Sequence, residues 1–276
     1  MICYDNNNRF NELEMRCHMK RTLLKAIPTK SEFDVEVFND LEIGVEIQDF
    51  VEPNLSKDQI EDTIKFYMFY LGKLNGIKSF HGPFLDLKPS SPDRIIRDVS
   101  YMRYLTALNI AKQLDMDYII FHSQINPYLN QPYLKKLNNL QAKDFWLKIL
   151  AEVPDFNGCV LLENIFEETP DMLLELMETL NHPKIRVNLD IGHANLGKVH
   201  LEEWISKLKD YISYIHIHSN EGKFDTHNSP TDNKISELQI LLDKYNLNPV
   251  LSLEYKADDL KQEVYRYKNI LQKIID

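Results

Sequence analysis

The chain has 276 residues, of which 43% are hydrophobic and 27% charged, and 32 basic against 42 acidic side chains give a net charge of -10. That length suits one closed α/β barrel, which typically takes about 250 residues, and is ample to bury a core without covalent staples. The acidic balance argues against broad nonspecific binding to nucleic acid, and no segment reaches the roughly 18 apolar residues that a bilayer span needs.

Residues 1–20 are polar, carry no apolar run of the signal-peptide kind, and are read as an N-terminal extension, with the barrel assigned to 21–276. The first strand is predicted at 22–27. Residues 30–40 are short for a helix, so the first connection reads as degenerate. A strand at 41–47 leads to a helix at 56–74, where Ser56 and Gln59 have capping-box spacing. After a strand at 77–81, Ser91 and Pro92 read as an N-cap and first-turn proline for a helix running to residue 114. A strand at 118–122 is followed by a long loop, 123–139, and a helix at 140–150. A strand at 160–163 precedes Thr169 and Pro170, the same device, before a helix ending at residue 180. Strands at 185–190, 212–218 and 250–254, each with a following helix (201–208, 235–245 and 258–275), complete the chain. Eight strands alternating with helical patterns, with no linker or composition break, predict a single-domain α/β fold, the (β/α)8 TIM barrel. An open doubly wound sheet fits less well, because no glycine-rich phosphate loop follows the first strand.

Polar residues collect at the C-terminal ends of these strands. They are His81, His122, Glu163, Asp190 with His193 just beyond, His216 with His218, and Glu254; a loop after the seventh strand adds Asp225 and His227. In a barrel those ends converge on one face, where active sites are built. Alternation along a strand places Leu161 with Glu163, Asn188 with Asp190, and Ser252 with Glu254, so each carboxylate is expected to face the barrel mouth, with Leu162, Leu189 and Leu253 facing the helices. Scattered polar loop residues are the plainer explanation, but six consecutive strands ending in Asp, Glu or His make a poor accident. Three carboxylates in one mouth repel each other, and a dication removes that penalty. Mixed nitrogen and oxygen donors suit zinc or manganese better than calcium. Glu46 points inward by parity and is a candidate to orient substrate or a ligand, or to form a buried ion pair. Phe84 is a candidate to stack on substrate. His18, His182 and His200 lie outside the pattern. Cys3, Cys17 and Cys159 have no ligand spacing and read as reduced thiols of a cytoplasmic protein, with Cys159 a packing residue.

On the motifs GVEI at 44–47, HGPF at 81–84, LEN at 162–164, LDIGHAN at 189–195, HIHSN at 216–220 and FDTH at 224–227, the chain resembles the xylose isomerase-like TIM-barrel superfamily. That group contains the sugar isomerases and epimerases and the family 2 apurinic (AP) endonucleases. In the epimerase branch one metal is held by positions matching Glu163, Asp190, His216 and Glu254. In the endonuclease branch three zinc ions also use positions matching His81, His122, His193, Asp225 and His227. His218 competes with His216, since both lie on one face. Three departures stand against DNA repair and for a smaller substrate: Ile165-Phe166-Glu167-Glu168 replaces a glycine-rich continuation, Thr231-Asp232-Asn233 replaces expected glycines, and Ser219 stands for an aspartate.

The resemblance implies an enzyme using one to three divalent ions, zinc or manganese, on a small sugar or sugar phosphate. In the isomerase or epimerase form, Glu163 and Glu254 are the catalytic proton-transfer pair and His193 holds a substrate oxygen. The alternative is a multi-zinc phosphoester hydrolase using all nine ligand positions. A catalytically dead barrel serving as a binding module fits poorly with so complete a donor set.

Overall fold

A computed structural model describes residues 21–271; residues 1–20, with Cys3, Cys17 and His18, and the last five residues lie outside the described part. Eight parallel strands form a closed barrel in sequence order: β1 Leu23–Ile27, β2 Gly44–Ile47, β3 Lys78–His81, β4 Tyr118–His122, β5 Cys159–Glu163, β6 Ile185–Asp190, β7 Ile212–Ile217 and β8 Val250–Leu253, with β8 pairing back to β1. Among the described residues nine α-helices surround it: α1 Val35–Asp40, α2 Lys57–Leu71, α3 Arg94–Gln113, α4 Pro132–Glu152, α5 Asp171–Leu180, α6 Ile191–Leu196, α7 Leu201–Leu208, α8 Asp232–Lys244 and α9 Leu260–Leu271. None of these helices is long and apolar enough to cross a membrane. Closure of the sheet leaves no edge strand exposed and points every C-terminal strand end to one face.

Strand alternation divides the core in two. Leu24, Ile120, Leu161, Tyr214 and Val250 fill the barrel interior, with Ile77, Tyr118 and Cys159 packed against them. Leu162, Leu189 and Leu253 lie instead in the larger cluster between barrel and helices. The parity expected from sequence therefore holds on β5, β6 and β8. Cys159 packs at the first position of β5, and burial pushes its thiol up to about 12, which makes it a poor nucleophile.

Several boundaries differ from expectation for local reasons. The helix expected to start at Ser91-Pro92 starts later, because the Asp93 carboxylate caps it, accepting from Ile95 N (2.7 Å) and Ile96 N (3.3 Å). Ser91 Oγ instead accepts from Asp93 N at 3.2 Å. The loop expected over 123–139 is shorter, since α4 begins with Pro132 in its first turn. Pro170 sits at the cap position of α5 with no side-chain cap; Thr169 Oγ1 donates to Asp171 at 3.1 Å. The capping box at Ser56 and Gln59 is present in both directions. The first connection is degenerate as read: a three-residue 3-10 turn, Lys30–Glu32, and the six-residue α1.

Candidate metal centre and active site

All nine predicted ligand residues meet at the mouth. β5 and β6 deliver Glu163 and Asp190 at their last positions, both at most 1% exposed; β7 delivers His216, at 0%. His216 Nδ1 lies 2.8 Å from Glu254 Oε2, 3.4 Å from Glu163 Oε2 and 3.6 Å from Asp190 Oδ2. His81, His122 and Glu163 each offer an atom within 4.8 Å of the others, as do Glu163, Asp190 and His193, and also His193, His218, Asp225 and His227. Glu163 and His193, each shared by two of these groups, thus join neighbouring donor pockets into one continuous cluster.

The imidazoles are held from behind. His216 Nε2 faces Glu46 Oε2 at 2.9 Å, and Glu46 also accepts from Tyr214 Oη and Ser252 Oγ, each at 2.8 Å. The Nδ1 of His81 meets the Gly82 carbonyl (2.9 Å), that of His193 meets the Asn164 carbonyl (3.0 Å), and that of His227 meets the Glu254 carbonyl (2.9 Å). One ring nitrogen anchored to a backbone or carboxylate oxygen, the other turned to carboxylates, is the arrangement that fixes metal-ligating histidines. Glu163 accepts from Asn188 Nδ2 (3.1 Å), and Glu254 from Gln48 Nε2 (2.7 Å). Asp190 caps the short α6, accepting from His193 N at 2.7 Å, which places His193 one turn past the strand.

Charge balance in the pocket is strained without a cation. Burial by itself raises the carboxylate pKa values. The charge of His216 with hydrogen bonds from His193, His216 and His81 nevertheless holds Glu163 well below its usual range, and His193 and His218 do the same for Asp190. Burial opposes protonation of His193 and His227, yet Asp190, Asp225 and Glu163 push His193 up to about 12, and Asp225 with Glu254 raises His227 to about 9. His122 goes the other way, down to about 3, because burial and the neighbouring imidazoles outweigh Glu163. Among the buried polar atoms without an aligned hydrogen bond are His216 Nδ1, His218 Nδ1 and Glu254 Oε2, the first and last of which are in ion-pair contact at 2.8 Å. With Nε2 held by Glu46, the His216 ring keeps its proton and turns Nδ1 toward three carboxylates, a place where a cation would substitute for that proton. Donor atoms that converge in this way, in an N/O donor set, fit a divalent cation.

Glu46 is buried behind His216 and forms a buried ion pair with it, so the pairing that parity left open and contact with a ligand candidate occur together. Phe84 stacks on His122, centroids 4.0 Å apart and planes at 14°. His218 lies with its ring parallel to His227 at 3.9 Å and its Nε2 2.9 Å from Asp190, so it belongs to the outer pocket as well as to Asp190. His182 and His200 lie away from the cluster: His182 Nδ1 accepts from Lys184 N, and His200 precedes α7. Sequence reasoning assigned no role to Gln48, Asn188, Tyr214 or Ser252. Parity marks each as inward-facing, so the signal was present and was used only for the carboxylates.

A closed parallel barrel whose strand ends carry this cluster defines a TIM-barrel protein with an acidic, histidine-rich mouth. Residues 44–274 match the xylose isomerase-like TIM barrel family, and the chain belongs to it. The protein is 27% identical over 212 residues to the uncharacterized protein MJ1311 of Methanocaldococcus jannaschii, covering 71% of this chain and 69% of that protein. The TTHB071 protein from Thermus thermophilus, from a crystal soaked with ZnCl2, has the same fold with a TM-score of 0.72 at 21% identity, covering 90% of this chain and 97% of that one. A D-tagatose 3-epimerase-like protein gives a TM-score of 0.69 at 23% identity, covering 91% and 96%. Structural likeness at these identities establishes the fold.

Proposed function

We propose that the protein is a multi-metal phosphoester hydrolase acting on a small sugar-bearing substrate. The observation that carries this reading is the continuity of the donor pockets: His81 and His122 on one side and His193, Asp225 and His227 on the other flank a centre made by Glu163, Asp190, His216 and Glu254. A one-metal isomerisation has no use for the flanking groups. Zinc or manganese ions would be held by these residues, and when bound they supply Lewis-acid polarisation and charge neutralisation for in-line displacement at phosphorus.

The chain's own side chains do the rest. Glu46, Gln48 and Asn188 fix the donors before substrate arrives, so little reorganisation accompanies binding. Phe84, stacked on His122, holds that ring in place. Asp225 and His227 are the more exposed members of the cluster, and substrate enters over them. The net charge of -10 supports a small substrate over a long nucleic acid.

The test is hydrolysis of p-nitrophenyl phosphate and bis(p-nitrophenyl) phosphate by zinc- or manganese-loaded protein. Nitrophenolate release that is abolished by a chelator and by Glu163→Gln supports the reading; no release with either metal and either ester refutes it.

A second reading, a sugar isomerase or epimerase, is favoured by one observation: Glu163 and Glu254 both approach His216 Nδ1, at 3.4 and 2.8 Å, as a proton-transfer pair beside one ion would. It predicts incorporation of solvent deuterium at a sugar carbon during turnover, which hydrolysis does not produce.

A further inference from the structure

The degenerate first βα unit has a structural consequence beside the metal-binding cluster. Where a full helix would cover the end of β1, a cavity of about 610 Å³ remains. The first unit contributes Lys25, Glu32 and Phe38 to its walls, and the mouth contributes Gln48, His227 and Glu254. The cavity is therefore continuous with the candidate centre through two predicted ligands.

Lys25 is its unusual member. It is 6% exposed, and its Nζ donates to the carbonyls of Ala26 and, at 3.2 Å, Leu253. Among the described residues no carboxylate is in contact with it; Glu32, Glu46 and Glu254 act on it only at longer range. Burial drives its pKa down. A buried ammonium whose contacts are neutral carbonyls is costly to keep charged, and an anion brought against it relieves that cost. Lys256, exposed on the same wall, adds a second cation, and the exposed Glu32 is the one carboxylate of the cavity outside the metal-binding cluster.

We propose that this cavity is a subsite for a second anionic group, a phosphate or a carboxylate, carried on the part of the substrate remote from the bond that is cleaved, and that Lys25 selects for it. The assignment rests on the hydrolase reading for the position of the reacting end. It narrows the substrate class to sugars bearing an anion at both ends.

The experiment is calorimetric titration of the zinc-loaded full chain with D-glucose, D-glucose 6-phosphate and D-glucuronate, which share a skeleton and differ at carbon 6. At least one anionic sugar is expected to bind about tenfold tighter than glucose, and Lys25→Met is expected to bring it within about twofold of glucose, with Lys25→Arg retaining most of the preference. Preference for the phosphate identifies a phosphate subsite, and preference for glucuronate identifies a carboxylate subsite. Because the metals themselves can attract an anion, the loss of preference in the Lys25 variant assigns it to this cavity, and Lys25→Gln repeats the test if the methionine variant does not fold. Equal binding of all three sugars, binding of none, or a preference that survives Lys25→Met overturns the subsite. Nitrophenyl ester hydrolysis measured on the same preparation shows separately whether the hydrolase reading stands.

Discussion

His216 Nε2 and Glu46 Oε2 stand 2.9 Å apart with both side chains fully buried, and this contact turns His216 Nδ1 toward Glu163, Asp190 and Glu254. Burial alone would raise the Glu46 carboxyl, but the charge and hydrogen bond of His216 hold it at about 2, so it is an anion at neutral pH. Replacing it by an isosteric amide keeps the packing and loses the charge. Glu46→Gln is expected to lower zinc affinity by roughly 10- to 100-fold, read by competition with a chelating dye. Unchanged affinity would mean that the ring is oriented by something else.

The metal-free protein should show its histidines through pH. His227 has a folded pKa near 9, above its ordinary value of about 6.5, because Asp225 and Glu254 outweigh burial. A raised pKa means that the folded state holds the proton more tightly than the unfolded one. Its contribution is complete below about pH 6.5 and is lost as pH rises through about 9. The melting temperature of chelator-treated protein is therefore expected to fall across that window. Zinc-loaded protein should not show this fall, because cations replace protons in the cluster, and zinc uptake should release protons below pH 9. A melting temperature independent of pH in the metal-free protein would contradict the account.

Gly192 illustrates how closely the outer pocket is built. A Cβ at this position would lie 2.0 Å from His218 Cε1 and 2.3 Å from Nδ1, so alanine must displace the ring. Gly192→Ala is expected to cost about 1–3 kcal/mol in a denaturant melt and to remove the metal held near Asp225 and His227, leaving the His81 side occupied. A variant with full metal content and unchanged stability would show that His218 moves freely.

How much of this was legible in sequence depends on range. β4 and β6 have the bounds read from their apolar runs, and the inward placement of Glu163, Asp190 and Glu254 followed from period-two alternation, which is local and strict. The choice between His216 and His218 could not be made locally, since both share a face. Both join the cluster, and what sets His216 apart, its contact with Glu46, comes from 170 residues away in the chain. Helix starts failed where polar residues compete: Ser91 and Asp93 are both good caps, and the carboxylate prevailed. The start of α4 was hidden because none of residues 132–141 is buried, so no apolar stripe marks the first turns of the helix. The cavity at Lys25 is a consequence of a missing helix, so nothing in the residues around Lys25 alone announces it.

The central claim is that three adjoining donor pockets, linked by the shared Glu163 and His193, hold more than one ion. Elemental analysis of protein purified with zinc present and then dialysed against buffer measures it directly. Two to three zinc ions per chain are predicted, falling by at least one in Glu163→Gln. A single tightly held ion per chain, unaffected by loss of His122 or His227, would contradict it.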